Sequence, residues 1–309
     1  MNRTALLFSG QGAQKVGMGI DLAESLPACR ALFDRASEVL GYDLLHLCKD
    51  GPAEDLTRSD HAQPAIFVVS AACLTALYNE TGGKPSIFCA GLSLGEWTAL
   101  WSAGVLSFED SVSVLQSRGR YMQEACEQQP GGMVSVIGLD EDAVLKVAEE
   151  AGLEVANYNS PGQIVLSGKK DLLPGAVEMA KAAGAKRAIP LKVAGAFHSS
   201  LMEPAAVKLR ELLQDVTFSA AERPVMSNVT AAPHEDPEAM KQRMVEQVTS
   251  SVRWTESVRY MCAKGVERFI ECGPGTVLTG LVKRIDKQVA LHNIQDLAGA
   301  RAVKQELEI

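Results

Sequence analysis

Residues Gly91-Leu92-Ser93-Leu94-Gly95 read G-x-S-x-G, and they stand where an apolar run, Ser86 to Ala90, gives way to an amphipathic helical pattern beginning near Leu94. In that setting Ser93 is a candidate nucleophile. A sharp strand-to-helix turn lifts the hydroxyl out of the fold, the flanking glycines clear space around it, and free N–H groups at the helix start face developing negative charge. The Leu94 amide is then a candidate donor to the oxyanion of an acyl-transfer intermediate. The same five residues also fit a Gly/Ser loop capping an ordinary helix, so other residues must separate the two.

A serine hydroxyl at its free pKa is a poor nucleophile and needs a base within hydrogen-bond reach. His198 is the best placed of five histidines. It lies in Gly195-Ala196-Phe197-His198-Ser199, ahead of Ser200-Leu201-Met202-Glu203, whose S-x-x-E spacing predicts a helix N-terminus. A loop against a helix start can present a neutral imidazole to a cleft, although a histidine satisfied by local backbone fits equally well. His46 in an apolar helical run, His292 in a predicted strand, His234 in a polar loop and His61 beside the helix start at Gln63-Pro64 are weaker candidates.

The helix announced by Ser107-Phe108-Glu109-Asp110 carries Arg118 and Met122 four residues apart, hence on one face. Arg118 is either an exposed helix arginine, like its neighbour Arg120, or a guanidinium that grips a substrate carboxylate. A further glycine-rich turn, Ser9-Gly10-Gln11-Gly12-Ala13-Gln14, closes the first strand. Gly17 and Gly19 come too late for a dinucleotide fingerprint, and no acidic residue ends a second strand. The Gln11 amide suits another task, donation to an oxyanion.

The elements that must position these groups alternate. Thr4 to Phe8, Ser86 to Ala90, Pro224 to Ser227, Arg268 to Cys272 and Val289 to Ile294 read as short apolar strands, mostly separated by long helical patterns. That is an α/β layer with a largely parallel, hydrolase-like sheet. Between about Gly132 and Val193 the rhythm changes to strand (Met133 to Leu139), helix (Glu141 to Ala151), strand (Glu154 to Asn157), strand (Gln163 to Ser167), helix (Lys170 to Ala183) and strand (Lys186 to Leu191). The order βαββαβ is that of a ferredoxin-like unit. Residues 1–128 with 195–309 are therefore expected to form the catalytic domain, and 129–194 an inserted subdomain.

Composition bounds the class. A chain of 309 residues with 47% hydrophobic and 22% charged residues can bury a sizeable core. The apolar run Ala5 to Phe8 stops at Ser9-Gly10, so neither a signal peptide nor a spanning segment is expected, and residence is expected to be cytoplasmic. Seven cysteines, an odd number without a C-x-x-C pair, suit reduced thiols, and the histidines are too scattered for a metal cluster. With a net charge of -8 and no basic stripe, nucleic acid is not an expected partner.

Taken together the motifs resemble those of the malonyl-CoA:acyl carrier protein transacylase family. In order these are Gly10-Gln11-Gly12-Ala13-Gln14, Ala62-Gln63-Pro64-Ala65, Gly91 to Glu96, Arg118-Gly119 with Met122-Gln123-Glu124-Ala125, Asn157 to Gln163, Gly195 to Ser199, Glu246-Gln247 with Val252-Arg253-Trp254, and Glu271-Cys272-Gly273-Pro274-Gly275. The resemblance implies Ser93 as nucleophile, His198 as base, an oxyanion hole from the Leu94 amide and Gln11, and a backbone carbonyl, that of Gln247, orienting the imidazole. It implies Arg118 as the clamp on the malonyl carboxylate, which a guanidinium fork matches bidentately. Met122 would share that pocket, and Phe197 would fill the space a 2-methyl branch needs.

The implied reaction is ping-pong transfer of malonyl from malonyl-CoA to the phosphopantetheine thiol of a holo acyl carrier protein in fatty acid biosynthesis, by a monomer without a cofactor of its own. The family usually has His at the position of Leu92, Pro at that of Ser9 and Tyr at that of Trp97. Carrier proteins are acidic, so a local basic patch is expected. Lys186, Arg187 and Lys192 are expected to meet Lys283 and Arg284 at the mouth of the active-site cleft. An acyl hydrolase, or a carrier-binding scaffold with reduced activity, are the alternatives.

Overall fold

The computed structural model describes residues 3–83 and 86–307. Among them run eight strands: β1 (Thr4–Phe8), β2 (Phe88–Gly91), β3 (Gly131–Ile137), β4 (Glu154–Ser160), β5 (Gln163–Lys169), β6 (Arg187–Pro190), β7 (Arg268–Cys272) and β8 (Ala290–Ile294). They divide into a parallel sheet of order β2-β1-β7-β8 and an antiparallel sheet of order β4-β5-β3-β6.

Strand β1 reads Thr-Ala-Leu-Leu-Phe and is buried along its whole length. Leu6 and Phe8 enter the main core, while Ala5 and Leu7 enter a second core with Trp254, Val258 and Phe269. Apolar side chains on both faces are what a parallel strand covered on both sides requires. Phe8 pairs level with Gly91 on one side and with Cys272 on the other. The carboxyl ends of β1, β2 and β7 thus finish together, and their turns open on one edge, where α/β sheets place ligands.

Helix Ser59–Thr81 is 23 residues long and, by length and composition, apolar enough to cross a membrane, which the sequence reading did not anticipate. Here it is a core helix, its side chains from Ala62 to Leu74 buried without interruption. A helix apolar all round needs cover on every side, and a protein core supplies it as well as lipid does. Six of the seven cysteines are buried, and Cys262 is half-buried.

The expected strand at Pro224–Ser227 does not form. The Cys89 N–H donates to the Pro224 carbonyl and the Met226 N–H to the Cys89 carbonyl, giving one isolated parallel bridge on the edge of β2. Met226 is then bridged to Pro233, which turns the chain back toward the sheet edge.

The second sheet follows the expected βαββαβ order, with helices Glu141–Ala151 and Leu173–Ala182 over a core of Val134, Val136, Ile164 and Leu166. The predicted helix from Lys170 begins with a 3-10 turn, Lys170–Leu172, before Leu173. Strand β4 is tied to the segment after Gln247: the Tyr158 N–H donates to the Val252 carbonyl at 2.9 Å and the Val252 N–H to the Ala156 carbonyl at 2.8 Å. Ser107 caps its helix as expected, accepting from the Asp110 N–H. Ser200 does not cap. Its hydroxyl and N–H donate to the Glu154 carboxylate, and residues Ser200–Met202 form a 3-10 turn before helix Glu203–Leu212.

Candidate active site

Ser93 occupies the turn between β2 and helix Leu94–Ser102 with φ 54° and ψ -103°. A side chain cannot adopt that conformation cheaply, and surrounding contacts must hold it. A Cβ on Gly91 would lie 2.0 Å from the Gly95 carbonyl carbon, and one on Gly95 would lie 2.1 Å from the Phe8 oxygen. Both glycines of G-x-S-x-G are therefore needed for the helix to seat on the strand tips. Asn228 clamps the turn: its Oδ1 accepts from the Ser93 N–H at 2.6 Å and its Nδ2 donates to the Gly91 carbonyl at 2.8 Å. The next amides, Gly95 and Glu96, donate to Leu92 and Ser93 carbonyls. The Leu94 amide is left as a helix-start donor beside Ser93.

His198, also left-handed at φ 58°, sets Nε2 2.8 Å from Ser93 Oγ. Its Nδ1 lies 2.8 Å from the Gln247 carbonyl and 3.1 Å from the Ser250 carbonyl. Carbonyls only accept, so Nδ1 carries the proton and Nε2 offers its lone pair to the serine hydroxyl. Burial, with the Arg118 charge nearby, pushes the imidazole down to about 4, so it is neutral at physiological pH.

Arg118 is buried, not one of the exposed helix arginines. Its helix, Phe108–Gln128, crosses helix Ser59–Thr81 closely at Gly119, where a Cβ would lie 2.2 Å from the Ser59 carbonyl oxygen. The guanidinium donates through Nη1 to Gln63 Oε1 at 2.8 Å, and through Nη2 to Gln247 Oε1 at 3.0 Å and Ser93 Oγ at 3.1 Å. Burial lowers it to about 10, with Glu96 opposing the shift, which leaves it a cation at neutral pH. Met122 joins the group as expected from its spacing, its sulfur 3.6 Å from Gln63 Nε2. Phe197 is buried in the main core.

The Gln11 side chain is not a free donor. Its Nε2 donates to Ser59 Oγ at 2.9 Å and its Oε1 accepts from Gln63 Nε2 at 3.2 Å. The preceding Gly10 backs onto the Ser93 turn, where a Cβ would lie 2.7 Å from the Leu92 carbonyl oxygen.

Such a constellation can open a thioester or ester with serine, hold the acyl-enzyme, and favour an acyl group that carries its own negative charge. The chain matches the model of the acyl transferase domain family over residues 5–306. It is 45% identical over 289 residues to the malonyl CoA-acyl carrier protein transacylase of Escherichia coli, covering 92% of this chain and 93% of that one. The chain belongs to the malonyl-CoA:acyl carrier protein transacylase family. Among solved structures it is similar to an acyl carrier protein S-malonyltransferase from Vibrio cholerae, with TM-score 0.94, 43% identity and coverage of 97% of this chain and 99% of that one. It is also similar to a malonyl-transacylase in complex with a holo type II polyketide acyl-carrier protein, with TM-score 0.95, 39% identity and coverage of 98% and 99%.

Where this transacylase-family chain departs from the usual motifs, local contacts account for two positions. Ser9 Oγ donates to the Pro274 carbonyl at 2.9 Å, tying the β1 turn to the Gly273-Pro274-Gly275 turn. Leu92 is half-buried against the second core with Ala5 and Leu7. Of the five basic residues, Lys186, Arg187 and Arg284 line one groove of about 500 Å³ together with Gly162 and Gln163. Lys192 and Lys283 are not among its lining residues, and neither are Ser93, His198 or Arg118.

Several members of the site carry no local sequence signal. Gln63, Glu96, Asn228, His234 and the Ser250 carbonyl join it across the fold. Gln63 and Glu96 lay inside motifs already noted, whereas His234 was set aside as a polar-loop histidine and is instead buried against Glu96 at 2.6 Å.

Proposed function

We propose that this protein transfers malonyl from malonyl-CoA to the phosphopantetheine thiol of a holo acyl carrier protein, through a malonyl-Ser93 intermediate, in fatty acid biosynthesis. The observation that carries this is one oxygen with two partners: Ser93 Oγ lies 2.8 Å from His198 Nε2 and 3.1 Å from Arg118 Nη2. A base and a buried cation on the same hydroxyl favour both its deprotonation and an anionic acyl group.

Ser93 gives its proton to His198 Nε2 as Oγ attacks the thioester carbon. The oxyanion is held by the Leu94 and Gln11 backbone amides. Collapse expels coenzyme A, which takes the proton from the imidazolium. The carrier thiol then loses its proton to His198 and attacks the malonyl-serine, and Ser93 recovers the proton as it leaves. Throughout, the Gln247 and Ser250 carbonyls hold the imidazole and stabilise its charged form, the task a carboxylate performs in a triad. Arg118 receives the malonyl carboxylate as a charge-assisted pair. No cofactor is needed beyond the two substrates, and the reaction suits a cytoplasmic enzyme.

Residues 129–194 act in this scheme as an inserted subdomain that steadies the segment from Gln247 to Val252. The groove of Lys186, Arg187 and Arg284 is the surface offered to the acidic carrier. Reversing Arg187 and Arg284 to Glu should raise the carrier KM and flatten its salt dependence while acylation by malonyl-CoA is unchanged; equal carrier kinetics would remove the groove from the scheme.

Intact-mass measurement tests the reaction itself. With malonyl-CoA alone a malonyl adduct on Ser93 should persist, and it should clear when holo carrier is added. Loss in buffer alone would make the protein a hydrolase, and no adduct at all a scaffold.

A further inference from the structure

Behind the three reacting side chains lies a carboxylate that the mechanism above does not use. Glu96, fully buried on helix Leu94–Ser102, accepts from three donors: His234 Nε2 at 2.6 Å, the Asn228 N–H at 3.2 Å and Gln247 Nε2. Two of these donors lead to the site. Asn228 holds the Ser93 N–H and the Gly91 carbonyl. Gln247 donates to the Ser93 carbonyl at 3.0 Å, presents its Oε1 to Arg118 and gives its own carbonyl to His198.

We infer that Glu96 is the positioning carboxylate of this site: it fixes the direction of the amide chain Gln247, Gln63 and Gln11 and supplies the counter-charge for Arg118. An amide side chain has two ends, and which end faces which neighbour is decided by its partners. A carboxylate accepting three hydrogen bonds forces the Gln247 nitrogen toward itself, so the Gln247 oxygen must face Arg118. Arg118, a pure donor, forces the Gln63 oxygen toward itself, so the Gln63 nitrogen faces Gln11, and Gln11 in turn donates to Ser59. Glu96 and Arg118 together thus orient the three amides Gln247, Gln63 and Gln11. In a low-dielectric interior such a chain is worth more fully satisfied than its separate bonds, and leaving one member unmet is costly.

The inference rests on the transacylase reading for its activity readout. The charged and titratable groups acting on Arg118 are Glu96 from helix Leu94–Ser102 and His198 from the loop before Ser199, with His234 facing Glu96 from behind. Of these only Glu96 favours the guanidinium cation, whereas burial opposes it. Neutralising Glu96 would therefore leave Arg118 a buried cation without its counter-charge.

The test is acyl-enzyme formation by wild type, Glu96→Gln and Glu96→Asp with malonyl-CoA and with acetyl-CoA. Glu96→Gln should lower malonyl kcat/KM by about tenfold or more through KM and acetyl kcat/KM far less. Glu96→Asp, which keeps the charge, should restore most of the malonyl-to-acetyl ratio. A Glu96→Gln protein with the wild-type malonyl-to-acetyl ratio overturns the inference. Should Glu96→Gln fail to fold, Gln247→Met carries the test by cutting the relay: a lowered malonyl-to-acetyl ratio supports it, and an unchanged ratio overturns it. A wild-type protein that forms no malonyl adduct would defeat the transacylase reading instead, whatever the variants do.

Discussion

The two sheets handle unfavourable backbone differently. In the antiparallel sheet and its helices, residues 131–190, every left-handed position is a glycine: Gly138, Gly152, Gly162 and Gly184. At the carboxyl edge of the parallel sheet the left-handed residues include Ser93 and His198, and Ala231 lies in the loop that follows Asn228. Glycine adopts such angles freely, whereas other residues do so at a cost that the surroundings must cover. Polar burial divides in the same way. Arg118, Glu96, Gln63, Gln247, Asn228 and His198 are buried around one point, while the small sheet buries only uncharged polar side chains, Ser135, Asn157, Ser160 and Ser167. The small sheet holds none of these left-handed side chains or buried charges, and the parallel edge gives up stability to hold a serine, an imidazole and a guanidinium in register.

Substitutions can break that contrast from either side. The largest effect is expected at Ser93→Ala: intact-mass measurement should find no malonyl adduct, and an adduct at full rate would show that another residue takes the acyl group. His198→Ala should slow acylation by about a hundredfold or more, the usual worth of a positioned base. The wild-type pH profile sharpens this. The imidazole must be neutral to accept a proton, and its pKa is pushed down to about 4. Acylation should therefore hold from pH 7 to near pH 5 and fall as the pH drops through about 4; a limb near the ordinary histidine value of about 6.5 would mean that His198 is not buried against Arg118 as described.

Arg118→Ala should come next. Losing a charge-assisted pair should reduce malonyl acylation by about ten- to a hundredfold and acetyl acylation far less, and equal losses would assign Arg118 to scaffolding. The smallest effect belongs to the other sheet. Gly152 closes helix Glu141–Ala151 at φ 66° with room for a methyl group. Gly152→Ala should cost about 1–2 kcal/mol of stability with kcat/KM unchanged, as judged by denaturant unfolding beside steady-state assay. A change in kcat/KM there would tie the small sheet into the chemistry more closely than its role as a support.

The fold was legible where local pattern and tertiary need agree. Thr4–Phe8 and Arg268–Cys272 are strands as expected, and helix Glu141–Ala151 has the expected ends, because short apolar runs and a helical pattern announce them. The failures have physical causes. Pro224–Ser227 has strand-like residues but only an edge on which to pair. Ser200 has a capping spacing, yet the Glu154 carboxylate competes for it from the other sheet.

By itself the sequence determined the strand-turn-helix that raises Ser93, the loop that carries His198, and the helix face shared by Arg118 and Met122, since each is a matter of residues a few positions apart. Tertiary structure alone decided that Arg118 is buried, that the Gln11 side chain is already engaged, and that Glu96 and His234 stand behind the site. Those facts depend on hydrogen bonds between residues such as Arg118 and Gln247, 129 positions apart, and Glu96 and His234, 138 apart. A polar side chain has the same local pattern whether water or a distant partner satisfies it, and only packing brings the partner and removes the water.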